Sequence, residues 1–121
     1  MSPIIGAVER YLAALAAHDW PALAACLEPD IERVGPYNDV YRGRDAYVAF
    51  LADTLRSLAG YELQVSRLIA STDVVVAELS ETVDTPAGRR RTEEAIVFEL
   101  SPAGLIRRVG VFLRRAIIVT A

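Results

Sequence analysis

The spacing of apolar residues changes near the middle of this chain, and that change limits the folds that the chain can adopt. In the first half, apolar side chains recur every three or four positions, as Val8, Leu12 and Leu15 do, which is typical of one face of a helix. From Tyr61 onward the period is two, which is typical of half-buried strands. Helices followed by a run of strands predict an α+β domain, with the helices on one face of an antiparallel sheet.

Turn and cap residues divide the first half into short elements. The predicted elements are a helix from Ile4 that ends at His18, a helix over 21–27, a strand over 31–34, a turn over 35–39 and a helix over 44–59. Asp19 is the predicted N-cap of the second helix, because its carboxylate can accept an unpaired N–H group of the first turn. Gly60 is the predicted C-cap residue of the third helix.

The second half contains four predicted strands joined by turns. Leu63, Val65 and, less regularly, Arg67 alternate with polar neighbours in the first of them. The other predicted strands cover 73–83, 90–100 and 105–113, and the loops between them cover 85–88 and 101–104, each with proline early and glycine late. Residues 117–119 either extend the last strand or pack as a tail.

Composition sets the size of the fold and excludes several classes of partner. The 121 residues, 53% of them hydrophobic, suffice for one domain over 1–121 with a sizeable core, and they argue against disorder. A formal net charge of −3 makes nucleic acid a poor candidate partner. No run approaches the roughly 20 apolar residues that span a bilayer, and the first residues lack a signal-peptide pattern, so no membrane partner is expected.

A single cysteine and a single histidine limit redox and metal chemistry. Cys26 has no partner for an internal disulfide, which fits a reducing cytoplasm, and its helical setting predicts a small core residue. With His18 as the only histidine, a zinc site is not expected. We expect neither a metal nor an organic cofactor.

Three segments carry a resemblance to a known superfamily. They are 8–15 followed by Asp19, then 27–31, and the start of the third helix at 43–46. Together with the element order, they resemble the ketosteroid isomerase and polyketide cyclase (SnoaL-like) branch of the nuclear-transport-factor-2-like superfamily over nearly the whole chain. The resemblance implies a cone-shaped, curved antiparallel sheet with three helices on its concave face and a hollow for a small apolar ligand. It also implies a homodimer formed through the outer face of the sheet.

The same resemblance assigns one candidate catalytic residue and removes others. Tyr11 lies where the isomerases place a tyrosine that donates to a developing enolate oxygen. Their general base is an aspartate before a proline, where this chain has Gly35 before Pro36, and their second acid aligns with Ile96. The last aspartate of the Asp-Arg-Asp set in the limonene-epoxide-hydrolase branch falls near Gly110. A ketosteroid isomerase with the usual groups is therefore not expected.

Other acidic residues can replace the missing groups. If Ile96 and Phe98 face the hollow, the period of two places Glu94 beside them, where burial would raise its pKa and suit acid–base chemistry. Arg33 would then pair with Glu94 across the hollow. A register shifted by one residue would place Glu93 there instead.

The remaining candidate site residues line the expected hollow or its mouth. Asp39 is a second candidate base, in the loop before the third helix, where Tyr41 also lies. Glu78 and Glu81 lie on opposite faces of their strand, and the sequence leaves open which of them points inward. Phe112 is expected on the outer face as a partner surface, with a buried core position as the alternative. The expected ligand-binding residues are Arg33, Tyr37, Phe50, Ile96, Phe98, Val109, Val111 and Leu113.

Two hypotheses of different class remain. In the first, the chain is a small cofactor-free enzyme that isomerises, cyclises or hydrolyses a hydrophobic carbonyl or epoxide compound. Tyr11 would polarise an oxygen, and Glu94 or Asp39 would move a proton. In the second, the same cone binds an apolar ligand without turnover, or the sheet serves as a partner surface. If Tyr11 and a carboxylate both point into one cavity, the enzyme hypothesis is favoured. If every inward carboxylate is already paired, the binding module is favoured.

Overall fold

The structure is a computed structural model of the 121-residue chain, and it describes residues 3–114 and 117–119, with side chains from 4 to 114. The helices are α1 (Pro3–Ala17), α2 (Trp20–Ala24) and α3 (Arg44–Arg56). The strands are β1 (Leu27–Val34), β2 (Val40–Arg42), β3 (Glu62–Ala70), β4 (Val74–Thr85), β5 (Gly88–Leu100), β6 (Ile106–Leu113) and β7 (Ile117–Val119).

Three helices and a curved, unclosed sheet confirm the predicted α+β fold. The strand order is β2-β1-β6-β5-β4-β3, and β7 pairs with the first residues of β5. Every described pair of neighbouring strands is antiparallel except β1 and β6, which are parallel. The sheet is therefore mixed at this one pair, where the strand from the helical half meets the meander.

Alternating burial along the central strands defines an inner and an outer face of the sheet. On β5 the inner face carries Ile96, Phe98 and Leu100, all buried. From the helical side, Val8 and Leu12 of α1 pack into the same core. The interior is therefore closed over much of its length by apolar side chains, whose removal from water supplies most of the stabilisation.

Cap chemistry sets the helix boundaries. The Asp19 carboxylate accepts the N–H of Ala22 at 3.2 Å, which confirms the predicted N-cap of α2. α2 ends at Ala24, earlier than predicted, because the chain turns and enters β1 at Leu27. α3 ends at Arg56 rather than at residue 59, and Gly60, with φ of +64°, turns the chain toward β3 beyond that end.

Two strands of the first half differ from the prediction. β1 begins at Leu27, so the segment through Pro29 is strand rather than a simple break. Its pairing with β6 is irregular between Leu27 and Glu32, which fits the missing N–H of the proline. β2 was not predicted. Tyr41 therefore lies in a short strand paired with β1 and not in a loop.

Two further differences lie in the second half. A register shift in β3 between Val65 and Arg67 breaks the simple alternation, so Arg67 pairs with Glu78 on the outer face. Residues 117–119 form a separate strand on β5, and they neither extend β6 nor pack as a tail. Within the described ranges, no helix has the length and apolar character needed to cross a bilayer.

Candidate active site

The β4–β5 hairpin places two glutamates side by side inside the cone. Thr85 pairs with Gly88 across a two-residue loop, and this register continues along both strands. Glu81 then lies opposite Thr92, and Glu94 lies opposite Leu79. Directly opposed residues share a face, so Glu81 and Glu94 are diagonal neighbours on the inner face.

Glu94 is a buried carboxyl group, with 9% of its surface exposed. Burial, followed by a hydrogen bond to Glu81 and the negative charge of Glu81, raises the pKa of Glu94 to about 10. The positive charge of Arg33 opposes this shift without reversing it. Glu94 is therefore a carboxylic acid at neutral pH.

Tyr61 completes this acidic pair from the segment before β3. Its hydroxyl donates a hydrogen bond to Glu81. Burial, together with the negative charge of Glu81, raises the pKa of Tyr61 far above its usual range. The phenol thus stays protonated, and the Glu81 carboxylate accepts bonds from both Tyr61 and Glu94.

A pair of tyrosines lies at the centre of the interior. Tyr11 of α1 and Tyr47 of α3 are each 1% exposed, and their hydroxyls are hydrogen-bonded to each other. The Tyr11 ring meets Phe98 edge-on, with ring centroids 5.2 Å apart. Burial raises the pKa of both phenols, that of Tyr47 to about 12. Two hydroxyls carry two protons and their mutual bond uses one, so the pair keeps one O–H available as a donor.

Arg33 pairs with Asp39 and not with Glu94 as predicted. Arg33 Nη1 donates to Asp39 Oδ2 at 2.7 Å across the turn between β1 and β2. Burial alone would raise the pKa of Asp39, but hydrogen bonds from its own backbone and from Arg33 lower it further than burial raises it. Asp39 is therefore an ionised, already paired carboxylate, which makes it a weak candidate for the base.

Gly35 leaves room for this ion pair. A Cβ atom at Gly35 would lie 2.5 Å from Arg33 Nη1 and still closer to both carboxylate oxygens of Asp39. The Arg33–Asp39 pair thus occupies the space that a side chain at position 35 would fill. This is the position from which the resemblance would have presented an aspartate base.

A cleft of about 780 Å³ opens at the end of the sheet where β1 and β6 finish. Its lining includes Gly35, Tyr37, Thr92, Val111 and Leu113. Thr92 and Leu113 are the neighbours of Glu94 on the inner face, but Tyr11, Glu81 and Glu94 do not themselves line this cleft.

The expected ligand-binding residues fall into two groups. Tyr37, Val111 and Leu113 line the cleft, and Tyr37 is 84% exposed at its rim. The rest lie deeper: Ile96, Phe98 and Val109 are buried in the core, Arg33 is in its ion pair, and Phe50 stacks on Tyr41 with ring centroids 4.1 Å apart.

Phe112 lies on the outer face and is 62% exposed, so the alternative of a buried core position is wrong. Glu78 and Glu93 also lie on that face, where they pair with Arg67 and Arg114. Of Glu78 and Glu81, and of Glu93 and Glu94, one residue therefore faces inward in each case. The inward residues are Glu81 and Glu94.

Three site residues were not identified from the sequence. They are Tyr47, Tyr61 and, as the inward member of its strand, Glu81. The hairpin loop contained the signal for Glu81, because a two-residue turn at 86–87 fixes which residues of β4 and β5 share a face. The positions of Tyr47 and Tyr61 depend on how their segments pack against the sheet, and periodicity alone does not predict that packing.

Comparison with known proteins places this geometry in context. Residues 8–109 match the family model described as the SnoaL-like domain. A search of the curated proteins found no match to the chain. Three solved structures are similar along most of their length, all below 25% identity, and these likenesses show the fold.

The first of these structures is an epoxide hydrolase of M. tuberculosis described as LEH-like, 23% identical, with a TM-score of 0.79 over 93% of this chain and 83% of that one. The second is the epoxide hydrolase/cyclase-like enzyme SalBIII of pyran ring formation in the polyether salinomycin, 20% identical, with a TM-score of 0.80 over 92% and 90%. The third is RV0760c of Mycobacterium tuberculosis in complex with estradiol-17β-hemisuccinate, 18% identical, with a TM-score of 0.78 over 94% and 95%.

Proposed function

This chain belongs to the SnoaL-like domain family, and from that premise we propose that it is a cofactor-independent acid–base enzyme. Its substrate would be a small apolar epoxide held in the cone, and the reaction would open the ring with water or with a hydroxyl of the same molecule. The observation that carries this proposal is the Glu81–Glu94 pair on the inner face, where burial and the neighbouring Glu81 raise the pKa of Glu94. A neutral carboxylic acid is a proton donor, and the carboxylate next to it is a proton acceptor.

In the proposed reaction Glu94 gives its proton to the epoxide oxygen as the C–O bond of the ring breaks. The Glu81 carboxylate takes a proton from the attacking water or hydroxyl as the new C–O bond forms. The products are a diol, or a cyclic ether bearing an alcohol. Transfer of the proton from Glu81 back to Glu94 across their hydrogen bond restores the starting state, so no co-reactant is needed.

Tyr61 and the tyrosine pair have supporting roles in this proposal. Tyr61 donates to Glu81 and would orient that carboxylate toward the nucleophile. The remaining O–H of the Tyr11–Tyr47 pair would hydrogen-bond to an oxygen of the substrate. Because the two hydroxyls polarise each other, the free donor is stronger than an isolated phenol.

The usual carboxyls of the steroid isomerases are absent, and Gly110 leaves the Asp-Arg-Asp set of the epoxide hydrolases incomplete too, so the proposal depends on the Glu81–Glu94 pair. Gly35 and Ile96 stand where the isomerases have their carboxyls, and neither can move a proton. Ring opening needs an acid and a base at the same time, and the Glu81–Glu94 pair can supply both from adjacent strands.

The test is turnover of styrene oxide and cyclohexene oxide in H₂¹⁸O, with the diol detected by mass spectrometry. We expect the native chain to form diol containing one ¹⁸O atom and Glu94→Gln to lose this activity. Glu93→Gln is the matched control, since it makes the same change one residue away on the outer face. Absence of diol from a panel of epoxides with the native chain would contradict the proposal.

A second candidate function, binding without turnover, is favoured by one specific observation. The candidate acid and base residues already have partners: Asp39 pairs with Arg33, and Glu81 pairs with Glu94 and Tyr61. Saturable binding of estradiol by calorimetry, together with no reaction of 3-keto-Δ5-steroids or epoxides, would favour this function.

We further propose that two copies associate through the outer face of the sheet. The support for this is the Phe112 ring, which is 62% exposed on the outer face of the sheet. Sedimentation velocity of the native chain and Phe112→Ser tests it, and a monomer for both would contradict it.

The single, buried Cys26 supports a reducing cytoplasm as the location.

A further inference from the structure

We infer that the cleft at the end of β1 and β6 is a binding site for a small amphipathic carboxylate, which is an apolar molecule that carries one carboxylate group. The site is separate from the proposed acid–base site, because Tyr11, Glu81 and Glu94 do not line this cleft. Its ligand is therefore a second small molecule, with a chemistry of its own.

The cleft lies beside an unpaired edge of β6. β1 pairs with β6 only as far as Gly110, whereas β6 continues to Leu113. The last residues of β6 therefore have β5 on one side and the cleft on the other, and none of the described strands covers this edge. The volume of about 780 Å³ lies within the range of roughly 300–1,000 Å³ that is typical of small-molecule sites.

One part of the cleft is apolar. Val111 and Leu113 line it from β6, and Pro36 and Tyr37 line it from the turn after β1. Tyr37 is 84% exposed, so most of its ring is free to pack against a ligand. Burial of apolar surface against these side chains would stabilise the hydrophobic part of a bound molecule.

The turn that carries Tyr37 is held by three hydrogen bonds. Gly35 N–H donates to the Asp39 carbonyl oxygen at 2.8 Å, and Asn38 N–H donates to the Gly35 carbonyl oxygen at 3.1 Å. Tyr37 N–H donates to Asp39 Oδ1 at 3.3 Å. Because the backbone under the ring is already fixed, little conformational entropy is lost when a ligand packs against Tyr37.

The other part of the cleft is cationic. Arg90, Arg108 and Arg114 line it, whereas none of its described lining residues is an aspartate or a glutamate. Arg90 is exposed and has no ion pair within residues 4–114. A guanidinium in this state can bind a carboxylate through two parallel N–H donors without first breaking another pair.

The ion pairs around the cleft do not cancel its positive charge. Arg108 and Arg114 have carboxylate partners, but each of those carboxylates is shared with an arginine outside the cleft. The three arginines of the cleft and all residues connected to them by ion pairs include six arginines and four carboxylates, which gives a net charge of +2. The six are Arg42, Arg90, Arg91, Arg107, Arg108 and Arg114, and the four are Glu32, Asp73, Glu93 and Glu99.

This combination selects an amphipathic anion over other ligands. The chain as a whole has a formal net charge of −3, so a region of +2 is a local excess of positive charge. A neutral ligand would leave the guanidinium of Arg90 without an acceptor, and an inorganic anion would leave the apolar part unused. A carboxylate with an apolar body uses both parts.

The test compares three probes: 4-phenylbutyrate, its neutral analogue 4-phenylbutyramide, and acetate. Each is titrated into the ¹⁵N-labelled native chain at pH 7, and the backbone amides of Tyr37, Gly110 and Val111 are followed by NMR. We expect 4-phenylbutyrate to shift these amides and to bind about tenfold more tightly than either other probe. Raising NaCl from about 20 mM to about 500 mM should weaken the carboxylate and leave the amide unchanged.

Two arginine variants and one tyrosine variant assign the contacts. Arg90→Gln should reduce the preference for carboxylate over amide to about threefold or less. Arg10→Gln is the matched control, since Arg10 is also exposed and without an ion pair within residues 4–114, but lines a different groove, near Gly104 before the start of β6. Tyr37→Ala should weaken both phenyl probes by about fivefold and leave the preference intact.

Several outcomes would overturn the inference. These are equal affinity for the two phenyl probes, acetate binding as tightly as 4-phenylbutyrate, no binding of any probe, or shifts confined to amides outside the cleft. Equal loss of preference in Arg90→Gln and Arg10→Gln would also contradict it, because it would indicate attraction by overall charge alone. Epoxide turnover is measured separately, so either site can fail while the other stands.

Discussion

The two faces of the β4–β5 hairpin carry the same residue type in very different states. Glu93 and Glu94 are adjacent, yet Glu93 pairs with Arg114 at the surface, whereas Glu94 is buried beside another carboxyl. Glu78 and Glu81 divide in the same way, with Glu78 bound to Arg67 outside. An exposed carboxylate with a cation is an ordinary surface ion pair, whereas a buried carboxyl beside a second carboxyl has a raised pKa and keeps its proton. The face of the strand, and not the residue type, decides the chemistry.

The largest effect should come from removing the inward base. Glu81→Gln keeps the shape of the side chain but cannot accept a proton, so turnover of styrene oxide should fall by about 10²–10⁴-fold. Glu78→Gln, on the opposite face of the same strand, should retain native turnover. Equal losses in both variants would mean that the hairpin as a whole matters, and not its inner face.

Packing should differ between the faces almost as strongly. Phe98 is fully buried in the core, and truncation of Phe98→Ala should lower the free energy of unfolding by about 3–5 kcal/mol. Phe112→Ala, measured at a concentration where the chain is monomeric, should change it by less than about 0.5 kcal/mol. Urea denaturation gives both values. A cost at Phe112 similar to that at Phe98 would show that the outer face is also packed.

The tyrosine pair should behave as one unit. Tyr11→Phe leaves Tyr47 with its own O–H, so turnover should fall by only about tenfold. Tyr11→Phe combined with Tyr47→Phe removes the donor entirely and should reduce turnover by about 10²–10³-fold. If the single and the double variant both kept the turnover of the native chain, neither hydroxyl would take part in the mechanism.

The stability of the chain should also depend on pH, through Glu94. The folded chain keeps the Glu94 proton up to about pH 10, whereas an unfolded glutamate releases it near pH ~4.3. Between those values the unfolded state binds fewer protons, so Glu94 lowers stability as the pH rises. Glu94→Gln should therefore become progressively more stable than the native chain from pH 5 to pH 9. If the difference in free energy of unfolding between Glu94→Gln and the native chain stayed constant from pH 5 to pH 9, the raised pKa of Glu94 would be contradicted.

Much of the fold could be predicted because each element depends on short-range patterns. Val8, Leu12 and Leu15 define α1, Asp19 caps α2, and alternation in β5 orients Ile96 and Phe98 toward the core. The boundaries failed where distant contacts override local signals. β1 runs through Pro29 because it pairs with β6 on both sides of that residue, at Leu27 and again from Glu32. Residues 117–119 form a strand because the first residues of β5 offer a free edge.

The candidate site was harder to predict, for a related reason. Glu94 follows from the alternation of one strand, so it could be identified. Its real partner is Glu81, and that pairing depends on the hairpin register between two strands. The bond between Tyr11 and Tyr47 depends on how two helices pack over the sheet, and the Arg33–Asp39 pair depends on the β1–β2 turn. No single periodicity contains these contacts.

The central claim is that Glu94 keeps its proton at neutral pH on the inner face beside Glu81, and ¹³C NMR of glutamate-labelled protein tests it most directly. The Glu94 side-chain carboxyl carbon, assigned through Glu94→Gln, should show no ionisation between pH 5 and pH 9 and should titrate near pH 10. In Glu81→Gln the midpoint should fall, because the neighbouring negative charge is gone. A Glu94 resonance that titrates near pH ~4.3 in the native chain would contradict the claim.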